Sequence, residues 1–195
     1  TPKPSSAASD VYKRQNIVCM SFTFHGKELW AKTTSRTAAA DGFPLHTHLA
    51  DVTGMVDWVI SRWVSPGTYA RLSHELGCDL STVVKLAAAA HDVGKASPFF
   101  QHCVPHLAQG LPDKELADTF VPHSIVSAKA LRGFLTDRGF SRSARTGFEL
   151  VVAGHHGRFP TERGFPAVCE LESRDWQEHR IAPVSYTHLT LPTKA

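Results

Sequence analysis

The sequence predicts an all-α fold, and three observations carry that prediction. Apolar residues recur at steps of three and four in several stretches. Glycines and prolines punctuate those stretches at helix-length intervals. Nothing alternates with period two for long enough to make a strand, and no internal repeat is visible.

The first helix is expected from Pro44 to Val64. There PLHTHLADVTGMVDWVISRWV places Leu45, Leu49, Val52, Val56, Val59 and Trp63 on one stripe, with Pro44 near the first turn. The next helix runs through TVVKLAAAAHDV. Asp79 or Ser81 can cap it and Gly94 should close it, which puts His91 and Asp92 in its last turn. Ser97 to Val121, with Pro98, Pro105, Gly110 and Pro112, is loop-rich and has room for a short helix or two. Pro122 then opens a helix over HSIVSAKALRGFLTDRG that should end at Gly139. RTGFELVVAGHHG makes one more, ending in His155 and His156 before Gly157.

A chain of 195 residues with ordinary apolar and charged fractions fits one globular domain with a real core. No apolar run approaches the ~20 residues a bilayer helix needs, and the N-terminus lacks the order of a secretory signal. The expectation is therefore no membrane association and a cytoplasmic location. The two ends differ from the middle: TPKPSSAASDVYKRQ and PVSYTHLTLPTKA are Ser/Thr/Pro-rich and resemble translated adaptor sequence. Residues 1–19 are expected to be a non-native or disordered flank and 183–195 a non-native tail. The domain is expected over 20–182, starting at Met20 and truncated at its C-terminus.

Setting the flanks aside changes the electrostatics. Residues 1–19 carry a net +2 and the tail +1, so the formal +3 of the whole chain leaves the core neutral. Global basicity gives no argument for nucleic-acid binding, and any such contact must come from local groups. Cys19, Cys78, Cys103 and Cys169 show no CxxC spacing and read as free, reduced thiols.

The chemistry lies in the histidines at helix ends and apolar faces: His48, the pair His91 and Asp92, His123, and the pair His155 and His156. An aspartate in an apolar helix is costly to bury unless something pairs with it. Neutral imidazoles and a carboxylate are a standard ligand set for borderline transition metals, and an acid shared by two cations offsets its own burial. Neighbouring residues on a helix diverge by roughly 100°, so each adjacent pair can reach metals only over a helix end. Two such pairs, each followed closely by glycine, suggest helix ends converging on one pocket. The remaining histidines read as surface or packing groups: His102 and His106 flank Pro105, His46 points away from His48, and His25, His74 and His179 have no visible companions.

In this order the motifs resemble the HD superfamily of metal-dependent phosphohydrolases, and within it the HD nuclease domain of the CRISPR-associated nuclease-helicase of type I systems. ELWAK (Glu28 to Lys32), LHTHLADV (Leu45 to Val52), HDVGKASPFFQ (His91 to Gln101), PHSIVSA (Pro122 to Ala128) and GHHGRFP (Gly154 to Pro160) look like its successive motifs. The resemblance implies an HD-domain helical bundle around a dinuclear site. In it His48, His91 and Asp92 hold one metal, and Asp92 bridges to a second held by His123, His155 and His156. Lys95 is implied as a catalytic contact to a substrate phosphate, with Arg158 and Arg163 as weaker phosphate contacts. Family members carry a further aspartate well downstream, in a helix resembling ADW, that completes the first metal's shell. No counterpart is found here: Asp175 in SRDWQEH is too early and sits among charges.

The implied reaction is hydrolysis of phosphodiester bonds in single-stranded DNA during type I CRISPR antiviral interference. Two divalent cations would activate water for in-line attack without a covalent intermediate. Histidine-rich ligation favours iron, manganese, cobalt, nickel or zinc over magnesium. The partners implied are single-stranded DNA, an RNA-guided surveillance complex and a helicase domain that this chain lacks. One alternative is an HD-type nucleotide or cyclic-dinucleotide phosphohydrolase. Those enzymes continue HH with an acidic residue and a GYP turn, whereas HH here runs into Gly157-Arg158-Phe159-Pro160. The other alternative, made plausible by the missing aspartate, is a non-catalytic metal-bound interaction domain.

Overall fold

A computed structural model describes residues 23–34, 41–159 and 171–186. The expected flank at 1–19, Met20, Cys19, Cys169, Arg163 and most of the expected tail lie outside the described residues. Helices dominate, as the sequence predicts. Four short strands open the described part: β1 (Thr23–Phe24) pairs antiparallel with β2 (Lys27–Glu28), and β3 (Trp30–Thr33) with β4 (Gly42–Pro44). The sequence reading found none of them, because two to four residues are too few to show an alternation.

Helix α1 (Leu45–Gly54) begins directly after β4, with Pro44 as its cap and Leu45 N–H bonded to Leu29 O at 2.8 Å. The single helix expected over 44–64 is in fact two. A turn at Met55 (φ −79°, ψ −14°) separates α1 from α2 (Val56–Trp63). Hydrogen bonds from Met55 N to Asp51 O and from Val59 N to Met55 O carry on through the turn. The expected apolar stripe does not stay in the core: Leu45, Leu49 and Val56 are buried, whereas Val59 is exposed and Trp63 is 80% exposed.

Helix α3 (Pro66–Leu76) was not assigned from the sequence. It buries no residue fully and so shows no strong stripe, yet its boundary signals are regular: the Ser65 hydroxyl accepts from Thr68 N, Pro66 opens the helix, and Gly77 closes it at φ 67°. Helix α4 (Leu80–Ala90) starts at Asp79, whose carboxylate accepts from Thr82 N. It stops four residues before the expected Gly94. His91 still has helical angles, but Asp92 moves to φ −117° and ψ 9°, and a 3-10 turn follows at Val93–Lys95. The pair His91 and Asp92 therefore lies just past the helix instead of in its last turn.

The loop-rich stretch contains one short helix, α5 (Pro98–Gln101), and a 3-10 turn at Lys114–Leu116. Helix α6 (His123–Asp137) matches its expected span, and α7 (Arg142–Ala153) lies along it. Helix α7 starts three residues before the expected Arg145 and stops at Ala153, so His155 and His156 lie in the turn past the helix instead of at its end. The last helix, α8 (Arg174–Tyr186), packs on α4, α6 and the Val93–Lys95 turn. Leu29, Leu45, Leu86, Val93, Leu131, Val152 and Trp176 belong to one continuous core. Ala90 and Ala128, fully buried and with almost no side chain, let α4 and α6 close on it.

Helix α8 is fastened by more than apolar contact. The Arg180 guanidinium makes a two-pronged pair with the Glu172 carboxylate, and its Nε donates to Ala96 O at 2.8 Å. Both residues are buried. Removing one partner of a buried pair strands the other, so Glu172→Gln should lower unfolding free energy by about 3 kcal/mol. The check is a denaturant midpoint that falls at unchanged slope.

Candidate metal centre

Four places in the fold send side chains to one point. His48 comes from the middle of α1, His91 and Asp92 from the exit of α4, His123 from the first residue of α6, and His155 and His156 from the exit of α7. The helix contacts α1 with α4, α4 with α7, and α6 with α7 bring these positions together.

Asp92 is at the middle, 3% exposed. Its Oδ2 lies 2.8 Å from His48 Nε2, 3.2 Å from His91 Nε2 and 2.8 Å from Lys95 Nζ. Its Oδ1 lies 3.1 Å from His123 Nε2 and 3.4 Å from His155 Nε2. His156 joins the second side through His123, their Nε2 atoms 2.9 Å apart. Two groups whose ligating atoms could hold a metal ion result: His48, His91 and Asp92, and Asp92, His123, His155 and His156. They share only Asp92. Every histidine expected to be a ligand lies in one of these two groups.

Ring orientation favours metal binding. His91 Nδ1 is bonded to Ala88 O at 2.7 Å and His155 Nδ1 to Val152 O at 2.6 Å. A carbonyl can only accept, so each Nδ1 carries the proton and each neutral ring points the Nε2 lone pair inward. Asp92 Oδ1 and His155 Nε2 are both buried, face each other, and make no directed hydrogen bond. Two lone pairs so placed repel unless a cation or a proton lies between them. The imidazole and carboxylate donors are those a borderline transition metal takes, so the residues present fit such an ion.

The electrostatics follow from this crowding. Burial works to raise the Asp92 carboxyl, but the imidazoles of His123, His155 and His91 outweigh it and hold the group well below the usual carboxylate range. Burial opposes protonation of His155, yet Asp92 and the Val152 carbonyl outweigh it and the ring is raised. For His48 burial prevails over Asp92 and the ring is lowered. Burial and the neighbouring His155 and His123 lower His156.

Lys95 is not a solvated residue beyond a helix end: it is 7% exposed and paired with Asp92. Arg158 is exposed on the segment after Gly157, and Arg163 lies outside the described residues. Asp175 is exposed on α8, 3.5 Å from His25, and belongs to neither ligand group. His102 is a satisfied buried histidine bonded to Pro112 O at 2.8 Å, as its packing role predicts.

Three supporting residues were not singled out from the sequence. Ser127 Oγ accepts from Gly94 N at 2.8 Å, pinning the turn after Asp92 to α6. Gln101, fully buried, donates to Lys95 O and Trp30 O and accepts from Trp30 N, tying the same turn to β3. Arg180 holds Ala96 from the far end of the chain. Ser127 and Gln101 lie inside recognised motifs, but a buried polar side chain looks no different in sequence from an exposed one.

The chain is similar to known proteins over most of its length. The family described as Cas3, HD domain matches residues 30–188. The CRISPR-associated endonuclease/helicase Cas3 of Thermus thermophilus is 32% identical over 156 residues, covering 75% of this chain and 15% of that protein. A solved structure described as a CRISPR-associated protein superposes with a TM-score of 0.66 at 28% identity, covering 100% of this chain and 21% of that one. The crystal structure of T. fusca Cas3 gives a TM-score of 0.64 at 24% identity over 81% of this chain and 18% of its own, a likeness of fold. The chain thus spans about a fifth or less of the length of these relatives.

Gly94 allows the close approach on which the site depends. A Cβ there would stand 2.1 Å from His123 O and 2.5 Å from Ser127 N, both backbone atoms that cannot step aside. Gly94→Ala should therefore cost about 3 kcal/mol of stability by overpacking. It should also reduce bound metal, since α6 moves away with His123. Thermal unfolding and metal analysis on the same sample check both effects.

Proposed function

The chain belongs to the Cas3 HD-domain family, and from that premise we propose that its metal centre hydrolyses phosphodiester bonds of single-stranded DNA in type I CRISPR antiviral interference. The observation that carries the proposal is the division of one buried carboxylate between two sets of imidazoles. His48 and His91 with Asp92 Oδ2 would hold one divalent ion, and His123, His155 and His156 with Asp92 Oδ1 the other. A pair of divalent cations supplies charge neutralisation at phosphoryl oxygens and a water acidic enough to ionise near neutral pH.

The protein's own groups account for the rest. The Nδ1 bonds of His91 and His155 keep their rings turned inward, so that no reorientation is needed on loading. Lys95, paired with Asp92 Oδ2 in the first set, would take a non-bridging phosphate oxygen, and Arg158 and Arg163 would hold flanking phosphates. The donor set favours iron, manganese, cobalt, nickel or zinc over magnesium. The Thermus thermophilus relative is named an endonuclease/helicase. A helicase beyond this chain would feed the strand displaced by an RNA-guided surveillance complex, in the cytoplasm. Among the described residues, no helix is long and apolar enough to cross a membrane.

The test uses circular single-stranded DNA with manganese, nickel or cobalt, comparing the parent with Asp92→Ala. The parent should nick the circle, while the variant should lose both bound metal and cleavage to background. Equal cleavage at full metal content in the variant would remove the bridging role. Metal uptake by the parent without cleavage under any of the three ions would favour a non-catalytic domain instead.

A further inference from the structure

We propose that Lys95 is a tethered cation occupying the His48, His91 and Asp92 half of the centre, making that half the weaker of two metal sites until a substrate phosphate draws the ammonium away. The inference rests on the metal-centre reading above and goes beyond it by ranking the two sites. Three nitrogens crowd Asp92 Oδ2: His48 Nε2 at 2.8 Å, His91 Nε2 at 3.2 Å and Lys95 Nζ at 2.8 Å. Only one of these, Lys95, brings an ammonium group. Among the described residues no ammonium contacts the other oxygen, and both Oδ1 and the facing His155 Nε2 are buried without a directed hydrogen bond. One half is already neutralised by the chain itself, and the other is left short of a cation.

Lys95 is held in that position by several contacts. Its amide donates to Asp92 O at 2.9 Å, its carbonyl accepts from Gln101 Nε2 at 2.8 Å, and its ammonium lies 5.4 Å from the centroid of the Phe100 ring. The side chain is 9% exposed, so water screens it poorly. A divalent ion entering the Oδ2 half must compete for the same carboxylate oxygen against a charge tied within a few ångströms. At interior dielectric that repulsion is large. The Oδ1 half carries no such penalty and should load first. A phosphate oxygen arriving from solvent offers Lys95 a second anionic partner. Its departure then frees Oδ2, so bound substrate strengthens the weaker of the two sites.

The experiment is a manganese titration of the metal-free 195-residue chain by calorimetry and electron paramagnetic resonance, with Lys95→Met, Lys95→Arg and His123→Ala alongside. The parent should take one equivalent tightly, with the spectrum of an isolated ion. It should take a second on the order of a hundredfold more weakly. Lys95→Met should bring the second equivalent close to the first and give a coupled two-ion spectrum at two equivalents, while Lys95→Arg should keep the gap. His123→Ala should remove the tight step. Two equal sites in the parent, or an undiminished gap in Lys95→Met, would overturn the inference while leaving the metal centre intact. A parent that binds no manganese, or binds it indifferently to His123→Ala, would overturn the metal centre as well. The parent isotherm decides the ranking even if the methionine variant does not fold.

Discussion

Five side-chain nitrogens lie within 3.4 Å of the Asp92 carboxylate, and nearly every other feature of the fold follows from the need to put them there. A buried, isolated carboxylate costs several kcal/mol, more than most single contacts return. Four helices therefore have to deliver partners to it from positions far apart in sequence. Small residues at the points of closest approach make this possible. Ala90 and Ala128 are fully buried, and Gly94 lies so near α6 that a single added carbon would meet backbone.

The turn from Asp92 to Ser97 is the piece that must not move, and three distant elements restrain it. Ser127 on α6 fixes Gly94, Gln101 on α5 fixes Lys95 and joins it to β3, and Arg180 on α8 fixes Ala96. Packing, hydrogen bonding and charge thus converge on one short segment. The strands at the N-terminal side, though small, serve the same end: β3 anchors Gln101, and β4 leads without a break into the helix that carries His48.

Much of this was legible in the sequence because the informative residues are both chemically unusual and ordered. His48, His91, Asp92, His123, His155 and His156 stand at helix ends or on an apolar face, where unpaired polar groups are costly, and the structure brings all six together. Helices α6 and α7 were legible because apolar residues run along them and proline or glycine stands near their ends. What escaped the reading depends on tertiary contact. Val59 and Trp63 are exposed although they continue a stripe whose earlier members, Leu45, Leu49 and Val56, are buried. Helix α4 ends early because the following turn tightens against α6. SRDWQEH reads as a charged surface, yet Trp176 is wholly buried against Phe24, with ring centroids 4.2 Å apart. Lys95, whose charged head suggests solvent, is drawn inward by the carboxylate three residues before it.

The central claim is that the two oxygens of Asp92 face two separate cation sites. It is tested most directly by anomalous diffraction from crystals soaked in saturating manganese. The account predicts two peaks, one between Asp92 Oδ2 and the His48 and His91 rings, the other between Asp92 Oδ1 and the His123, His155 and His156 rings. A single ion bound by all the histidines at once, or ions bound away from Asp92, would contradict it.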